Sequence, residues 1–147
     1  MPSSIENALT LVENALEALG DPPTVYAGRQ WPDHYDAPYA ALLRFGTVEG
    51  IDGHGGVERR TYTVNVTLRY RQRDSFGEDR QVAIATRAQL ARDAFHLVDP
   101  SAFATKPTGL WQVEVMSPMG VNDSPEEPQS DFIDTSFDVV MHTFETV

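Results

Sequence analysis

The chain has 147 residues, of which 41% are hydrophobic and 22% are charged, a composition typical of one globular domain rather than a disordered segment. It contains no cysteine, which excludes disulfides, thiol catalysis and cysteine-ligated metals. No apolar run reaches the roughly 18 residues of a membrane helix, and residues 1–11 lack the basic start of a signal peptide. We therefore expect one domain without a membrane segment, placed in the cytoplasm.

The net charge of −11 is distributed unevenly along the chain. Residues 122–145 contain no lysine or arginine, whereas arginines are concentrated in the middle third. These are Arg59, Arg60, Arg69, Arg71, Arg73, Arg80, Arg87 and Arg92. Because nucleic acids are also negatively charged, a chain this acidic is not expected to bind along their phosphate backbone. Two interpretations stay open: opposed charged faces that contact unlike partners, or an ordinary solvated surface.

An amphipathic helix opens the chain and is followed by two strands. Ser3 and Glu6 have the spacing of a capping box, and apolar residues then recur at helical spacing until Gly20. Residues 24–27 predict a short strand. The apolar run at 39–45 predicts a buried strand.

The next segment is rich in glycine and precedes the clearest strand pattern. Residues 46–60 contain five glycines and predict a long flexible loop between two antiparallel strands. Residues 61–71 then alternate between two kinds of side chain, as a strand with one buried face does. The predicted core set is Tyr62, Val64, Val66, Leu68 and Tyr70.

A second helix and two more strands complete the pattern. Ser75 and Glu78 repeat the capping-box spacing. The predicted buried stripe of the helix is Val82, Ala85, Ala88, Ala91 (or the neighbouring Ile84), Phe95 and Val98. The strand at 110–118 is predicted to place on one face Trp111, Val113 and Val115. The strand at 131–147 is predicted to place on one face Ile133, Thr135, Phe137, Val139 and Met141.

Together these elements predict an α+β fold: a mainly antiparallel sheet of about four strands with two helices packed on one face. Residues 1–147 form one domain in this interpretation, because no composition shift marks a linker. Extended loops are expected near 46–60 and near 120–131, the second being acidic and proline-containing.

The sequence shows no convincing catalytic or metal-binding pattern. His34 and Asp36 lie two residues apart in a loop, a spacing that is specific to no acid–base mechanism. The glycine-rich stretch at 50–56 lacks the phosphate-loop pattern. None of the histidines shows the spacing of a metal-binding helix: His34, His54, His96 and His142. We expect no catalytic, cofactor or metal site.

Residues 59–73 interleave arginines and tyrosines, a pattern found in proteins that bind single-stranded nucleic acid. Tyr62 and Tyr70 belong to the predicted core set, so the arginines are expected on the opposite face of the strand. An acidic protein surface explains those arginines as well as nucleic acid does, and we favour a protein partner. Nucleic-acid binding through Arg69 and Arg71 remains an alternative.

The order of elements, with "VYAGR" at 25–29, "APYAALLRF" at 37–45 and "FIDTSFDVVMHTFE" at 132–145, resembles the tail terminator proteins of long-tailed bacteriophages of the lambda-like type. These are also called tail-completion or head–tail joining proteins. Gly28, Arg29, Pro38 and the closing strand carry most of the resemblance.

The resemblance implies an α+β subunit of a hexameric ring at the tail–neck junction of a virion, assembled in the host cytoplasm. Such a ring caps the tail tube protein, stops tube polymerisation and contacts the head–tail connector. The resemblance implies no catalytic residues, and DNA would pass through the lumen without specific binding.

Subunit or partner contacts are then expected in the stretch after the first short strand and along the arginine-bearing strand. Arg29 would make a charge-assisted contact. Trp31 and Tyr35 would either anchor an interface or cover the edge of the domain's own core. The candidate interface residues are Arg29, Trp31, Tyr35, Arg59, Arg60, Arg69 and Arg71.

Besides nucleic-acid binding, two further alternatives remain. The first is another neck, head-completion or tail-tube subunit, which differs from a terminator in its assembly partner. The second, which we favour less, is a small ligand-binding domain or enzyme that uses His34, Asp36 and Trp31 in a preformed pocket.

Overall fold

A computed structural model of the chain describes residues 3–32, 39–71, 80–116, 121–122 and 132–146. The elements in chain order are α1 (Ser4–Glu17), β1 (Thr24–Ala27), β2 (Tyr39–His54), β3 (Val57–Arg71), α2 (Arg80–Asp93), β4 (Leu110–Met116), β5 (Val121–Asn122) and β6 (Phe132–Thr146). A short 3₁₀ turn, Pro100–Ala102, lies between α2 and β4. Within these described ranges, no helix is long and apolar enough to cross a membrane.

The strands form one sheet in the order β1-β2-β3-β6-β4, and the two-residue β5 pairs with β6. β1 runs parallel to β2, and the other described pairs are antiparallel. Both helices contribute to one core on the same side of the sheet. The predicted α+β class is confirmed, with five main strands rather than about four because the short β1 joins the sheet.

The prediction of a long loop at 46–60 is wrong. β2 and β3 continue as a hairpin through this region, and Gly55 and Gly56 alone form its turn. Both have positive φ, 63° and 80°, which a tight hairpin turn requires. Gly46 lies at a shift of register within β2. Gly55 and Gly56 therefore form the turn of a strand pair, and Gly46 lies in a bulge within it. Of the second predicted loop, 120–131, only β5 lies within the described residues.

The core lies between the helices and one face of the sheet, as the alternation predicts. β3 buries there all of its predicted set: Tyr62, Val64, Val66, Leu68 and Tyr70. β6 buries Thr135, Phe137, Val139 and Met141. The predicted capping box of α1 is confirmed, since Ser3 Oγ accepts from the Glu6 amide at 3.2 Å and the Ser3 amide donates to Glu6 Oε2 at 2.7 Å. α1 buries Ala8, Leu11, Val12 and Leu16.

The predicted buried stripe of α2 is confirmed at Ala88, Ala91 and, just after the helix, Phe95, but it is wrong at Val82 and Ala85. Val82 is 60% exposed, and Ala85 is also exposed. The buried residues are Ile84, Ala88, Ala91 and Phe95. They follow one another at helical spacing of three or four, so the alternative residue Ile84 sets the stripe. Ser75 and Glu78, the predicted cap, lie outside the described residues.

A buried carboxylate ties α1 to the sheet. Glu145, 9% exposed, accepts hydrogen bonds from Tyr62 Oη at 2.6 Å, Thr143 Oγ1 at 2.7 Å and Ser4 Oγ at 3.0 Å. Arg60 Nη1 lies 3.7 Å from Glu145 Oε1. Burial raises the pKa of this carboxyl, but the hydrogen bonds and the nearby guanidinium outweigh burial, so the pKa lies below its ordinary value.

We expect Glu145→Gln to reduce stability in a pH-dependent way. Because the folded pKa is lowered, the carboxylate's contribution is fully present above the ordinary value of 4.5 and is lost as the pH falls through the lower folded pKa. The variant should lose about 1–3 kcal/mol at neutral pH, and the deficit should shrink in acid. Urea unfolding at neutral and acidic pH measures this, with the exposed Glu13→Gln as control. A deficit that stays constant in acid would contradict the assignment.

Candidate protein interface on the open sheet face

The sheet has a second face on which no described helix packs, and we call it the open face. β3 contributes to it Arg59, Thr61, Thr63, Asn65, Thr67 and Arg69. β6 contributes the residues opposite these: Phe144, His142, Val140, Asp138, Ser136 and Asp134. The polar half of the alternation in β3 therefore lies on the open face, which is accessible only in part because Thr67 and Val140 are buried. We take this face as the candidate site.

Cross-strand hydrogen bonds occupy the middle of the open face. Thr67 Oγ1 lies 3.0 Å from Ser136 Oγ, and Asn65 Nδ2 donates to Asp138 Oδ1 at 3.0 Å. Arg44 of β2 extends the row by donating from Nη2 to Asn65 Oδ1 at 3.3 Å. These bonds satisfy polar groups that the helices leave uncovered.

At one end of the open face, Arg69 holds the segment after β1 against the sheet. Its Nε donates to Asp134 Oδ1 and its Nη2 donates to Asp134 Oδ2, both at 2.8 Å. Its Cζ lies 4.5 Å from the ring centre of Trp31, within the range of a cation–π contact. The Trp31 ring also meets the Tyr26 ring edge-on, with centroids 6.5 Å apart. In this subunit, therefore, Trp31 covers its own sheet, and Arg69 pairs with an acid of the same chain.

At the opposite end, close to the hairpin turn, three apolar side chains are exposed. Val57 is 42%, Trp111 44% and Phe144 48% exposed. The Trp111 and Phe144 rings stack with centroids 5.5 Å apart and planes at 21°. Arg59, also exposed, lies opposite Phe144 in the strand register. We call these four residues the distal patch. Aromatic and arginine side chains are enriched in protein interfaces.

The location of Trp111 corrects the prediction that it shares a face with Val113 and Val115. The register of β4 against β6 shifts between Leu110 and Gln112, and this bulge turns the Trp111 ring onto Phe144 of the open face while Val113 stays buried. Gly109, with φ of 77°, lies so close to β6 that a Cβ there would meet the backbone of Phe144. A glycine directly before a strand pattern is the one sequence signal of this bulge.

His142 supports the distal patch from below. Its Nε2 lies 2.9 Å from Glu114 Oε1, its Nδ1 lies 3.3 Å from Thr61 Oγ1, and its ring centre is 5.5 Å from that of Trp111. The order hydroxyl, imidazole, carboxylate resembles a hydrolase triad. Here each partner comes from a neighbouring strand of the same sheet, so the row fixes the ring on which Trp111 rests. Across the described ranges, no three histidine, aspartate or glutamate side chains cluster closely enough to hold a metal ion.

The two adjacent arginines of the candidate interface point to opposite sides of the sheet. Arg59 belongs to the distal patch on the open face. Arg60 lies on the helix side, where its Nη2 is 3.5 Å from Glu58 Oε2 and its Nη1 approaches Glu145. Arg60 therefore serves the domain's own network.

The remaining predicted residues are only partly within the structure. Arg29 is exposed just beyond β1. The following loop residues His34, Tyr35 and Asp36 lie outside the described ranges. The side chain of Arg71 also lies outside them. Sequence reasoning did not identify the apolar members of the distal patch, Val57, Trp111 and Phe144.

The helix side of the domain also has a groove. A groove of about 390 Å³ separates α1 from the segment that follows α2. Among the described residues that line it, Asn14 and Thr105 are polar and the others are apolar, including Leu11, Leu19, Val98 and Phe103. Such a lining suits apolar contacts.

No protein-family model matches the chain, and no curated protein matches it either.

We expect Arg69→Met to release the segment that carries Trp31. The substitution removes the bidentate partner of Asp134 and the cation over the indole, at a cost of about 1–3 kcal/mol. In a Trp111→Phe background, the fluorescence of Trp31 should shift to longer wavelength as the ring gains solvent. Arg44→Met, which loses one 3.3 Å hydrogen bond, is the matched control. Equal changes in the two variants would contradict the role of Arg69.

Proposed function

We propose that this protein is a bacteriophage tail terminator, a structural subunit that caps the tail tube as a hexameric ring and meets the head connector. The observation that carries the proposal is the distal patch. A stacked tryptophan–phenylalanine pair next to an arginine is exposed on the open face, where no described helix packs. Contiguous exposed apolar side chains of this kind mark surfaces that bind other proteins.

A closed ring requires each subunit to present one surface to a different surface of its neighbour. The distal patch supplies one such surface, with Arg59 as its cation. The exposed side of α1 carries the carboxylates Glu13 and Glu17, which offer a surface of opposite charge. Complementary charge would orient the subunits and accelerate their encounter.

The overall charge supports a role beside DNA. A chain with a net charge of −11 repels phosphate backbones, so a genome could pass through the ring without adhering. Two arginines of the central strand, Arg60 and Arg69, pair with carboxylates of the same domain. This favours protein partners, the tail tube and the connector, over nucleic acid. The proposed role is structural and involves no catalysis, cofactor or metal.

We expect the combined variant Trp111→Ala and Phe144→Ala to lose ring formation on tail tubes. Both side chains are about half exposed, and each truncation should cost about 1–2 kcal/mol through lost burial and ring stacking, so urea unfolding must first show that the variant is folded. Leu90→Ala, on the 54% exposed Leu90 of α2, is the matched control and should still cap tubes. Native mass and negative-stain images, with the protein alone and mixed with tail tubes, measure assembly.

Two results would redirect the proposal. Rings that persist in the double variant but vanish with Leu90→Ala would place the interface on α2 instead of the distal patch. Binding to connectors without any binding to tube ends would indicate another component of the neck.

A further inference from the structure

Strand β2 has a long outer edge that no described strand covers. β1 pairs with β2 only from Ala40 to Leu43, and the Gly28 amide donates to the Leu43 carbonyl at 3.0 Å just beyond β1. From Arg44 to His54, β2 is paired with β3 on its inner side alone among the described residues. Its outward backbone groups are therefore placed to accept another strand.

The opposite edge of the sheet is closed. Along β4, the Leu97 amide donates to the Val113 carbonyl at 2.8 Å, and the Val115 amide donates to His96 Nδ1 at 3.0 Å. Leu97 has a φ of 58°, an unusual conformation for a branched side chain, and it brings the turn after α2 against the strand. Within the described ranges, β2 thus offers the one long open edge, and β4 cannot pair with the β2 of another copy.

The side chains along the open edge form two sets. Arg44 and Glu49 are both exposed, and both lie on the open face, because the β3 residues opposite them belong to that face. Phe45 and Val48 lie on the helix side, where Val48 is 39% exposed. Arg44 and Glu49 are an odd number of residues apart, as are Phe45 and Val48, which in a regular strand would put the two members of each pair on opposite faces. The bulge at Gly46 inserts one residue between them, so the two members of each pair lie on the same face. Glu49 makes no ion pair with another described residue.

We propose that the outer edge of β2 binds the same edge of a second copy of this chain, antiparallel about a two-fold axis between Gly46 and Thr47. In this register Arg44 of one copy lies opposite Glu49 of the other, and Phe45 lies opposite Val48. Each pair occurs twice. Because the axis passes next to Gly46, the bulges of the two copies lie beside each other. The two strands therefore depart from regular geometry at the same place, and their pairing can continue on both sides of it. An axis at Glu49 itself would oppose two carboxylates and is disfavoured.

This contact goes beyond the proposed function and uses a different surface. The distal patch would close a ring through unlike surfaces, whereas the β2 edge joins like surfaces and cannot extend a ring. It pairs two free subunits, or two rings, about a two-fold axis. It also covers an edge that would otherwise template aggregation.

Charge reversal tests the register. Glu49→Arg and Arg44→Glu each oppose like charges twice and should raise the dissociation constant of the edge dimer about tenfold or more. The double variant Arg44→Glu with Glu49→Arg should restore the dimer, and so should an equal mixture of the two single variants. Sedimentation velocity over a concentration series measures all of these. Single variants that dimerise as tightly as the wild type, or a double variant that fails to recover, would overturn the proposal.

Cross-linking provides a second, independent measurement. Because the chain has no cysteine, Thr47→Cys beside the axis can form a disulfide only with another copy. Oxidation should yield a covalent dimer, whereas the exposed Ser101→Cys should not. The Trp111→Ala and Phe144→Ala variant should keep the edge dimer even if it loses the ring, which separates the two proposals. Absence of the Thr47→Cys cross-link at concentrations where the wild type dimerises would reject the edge contact.

Discussion

Strand β3 is hydrogen-bonded to β2 along one edge and to β6 along the other for nearly its whole length. With both edges occupied, its side chains can point in only two directions, and the two helices cover one of them. The apolar half of the strand is buried there. The polar half has to find partners across neighbouring strands, because buried or half-buried polar groups without partners are costly. One alternation thus determines both the core and the surface left for other molecules.

That surface changes character along its length. Near β1, Arg69 is held by a carboxylate and an indole, and in the middle Asn65 and its neighbours bond to one another. Near the hairpin turn, His142 is bonded on both sides, and the rings above it are in solvent. The polar part is satisfied within the subunit, so the aromatic end is where burial by a neighbour would gain most.

Local patterns predicted much of the fold but less of the candidate site. Alternation and capping depend on neighbouring residues, so the core of β3 and the start of α1 follow from the sequence. The five glycines of residues 46–60 indicated a loop, because glycine is typical of loops. Whether a glycine lies in a bulge instead depends on the strand that faces it, which the local sequence does not reveal. Trp111 was assigned to the wrong face because one bulge reverses the alternation. The partner of Arg69 lies 65 residues away, and only the register of β3 against β6 brings the two together.

The central claim is that the distal patch of the open face is covered in the assembled particle, whereas the exposed side of α2 is not. Hydroxyl-radical footprinting of free subunits and of subunits assembled on tail tubes tests it directly. Oxidation of Trp111 and Phe144 should fall sharply on assembly, while that of Leu90 in α2 and of Leu97 in the turn after it, both exposed, should stay unchanged. Protection of the leucines with continued oxidation of the aromatic pair would contradict the account.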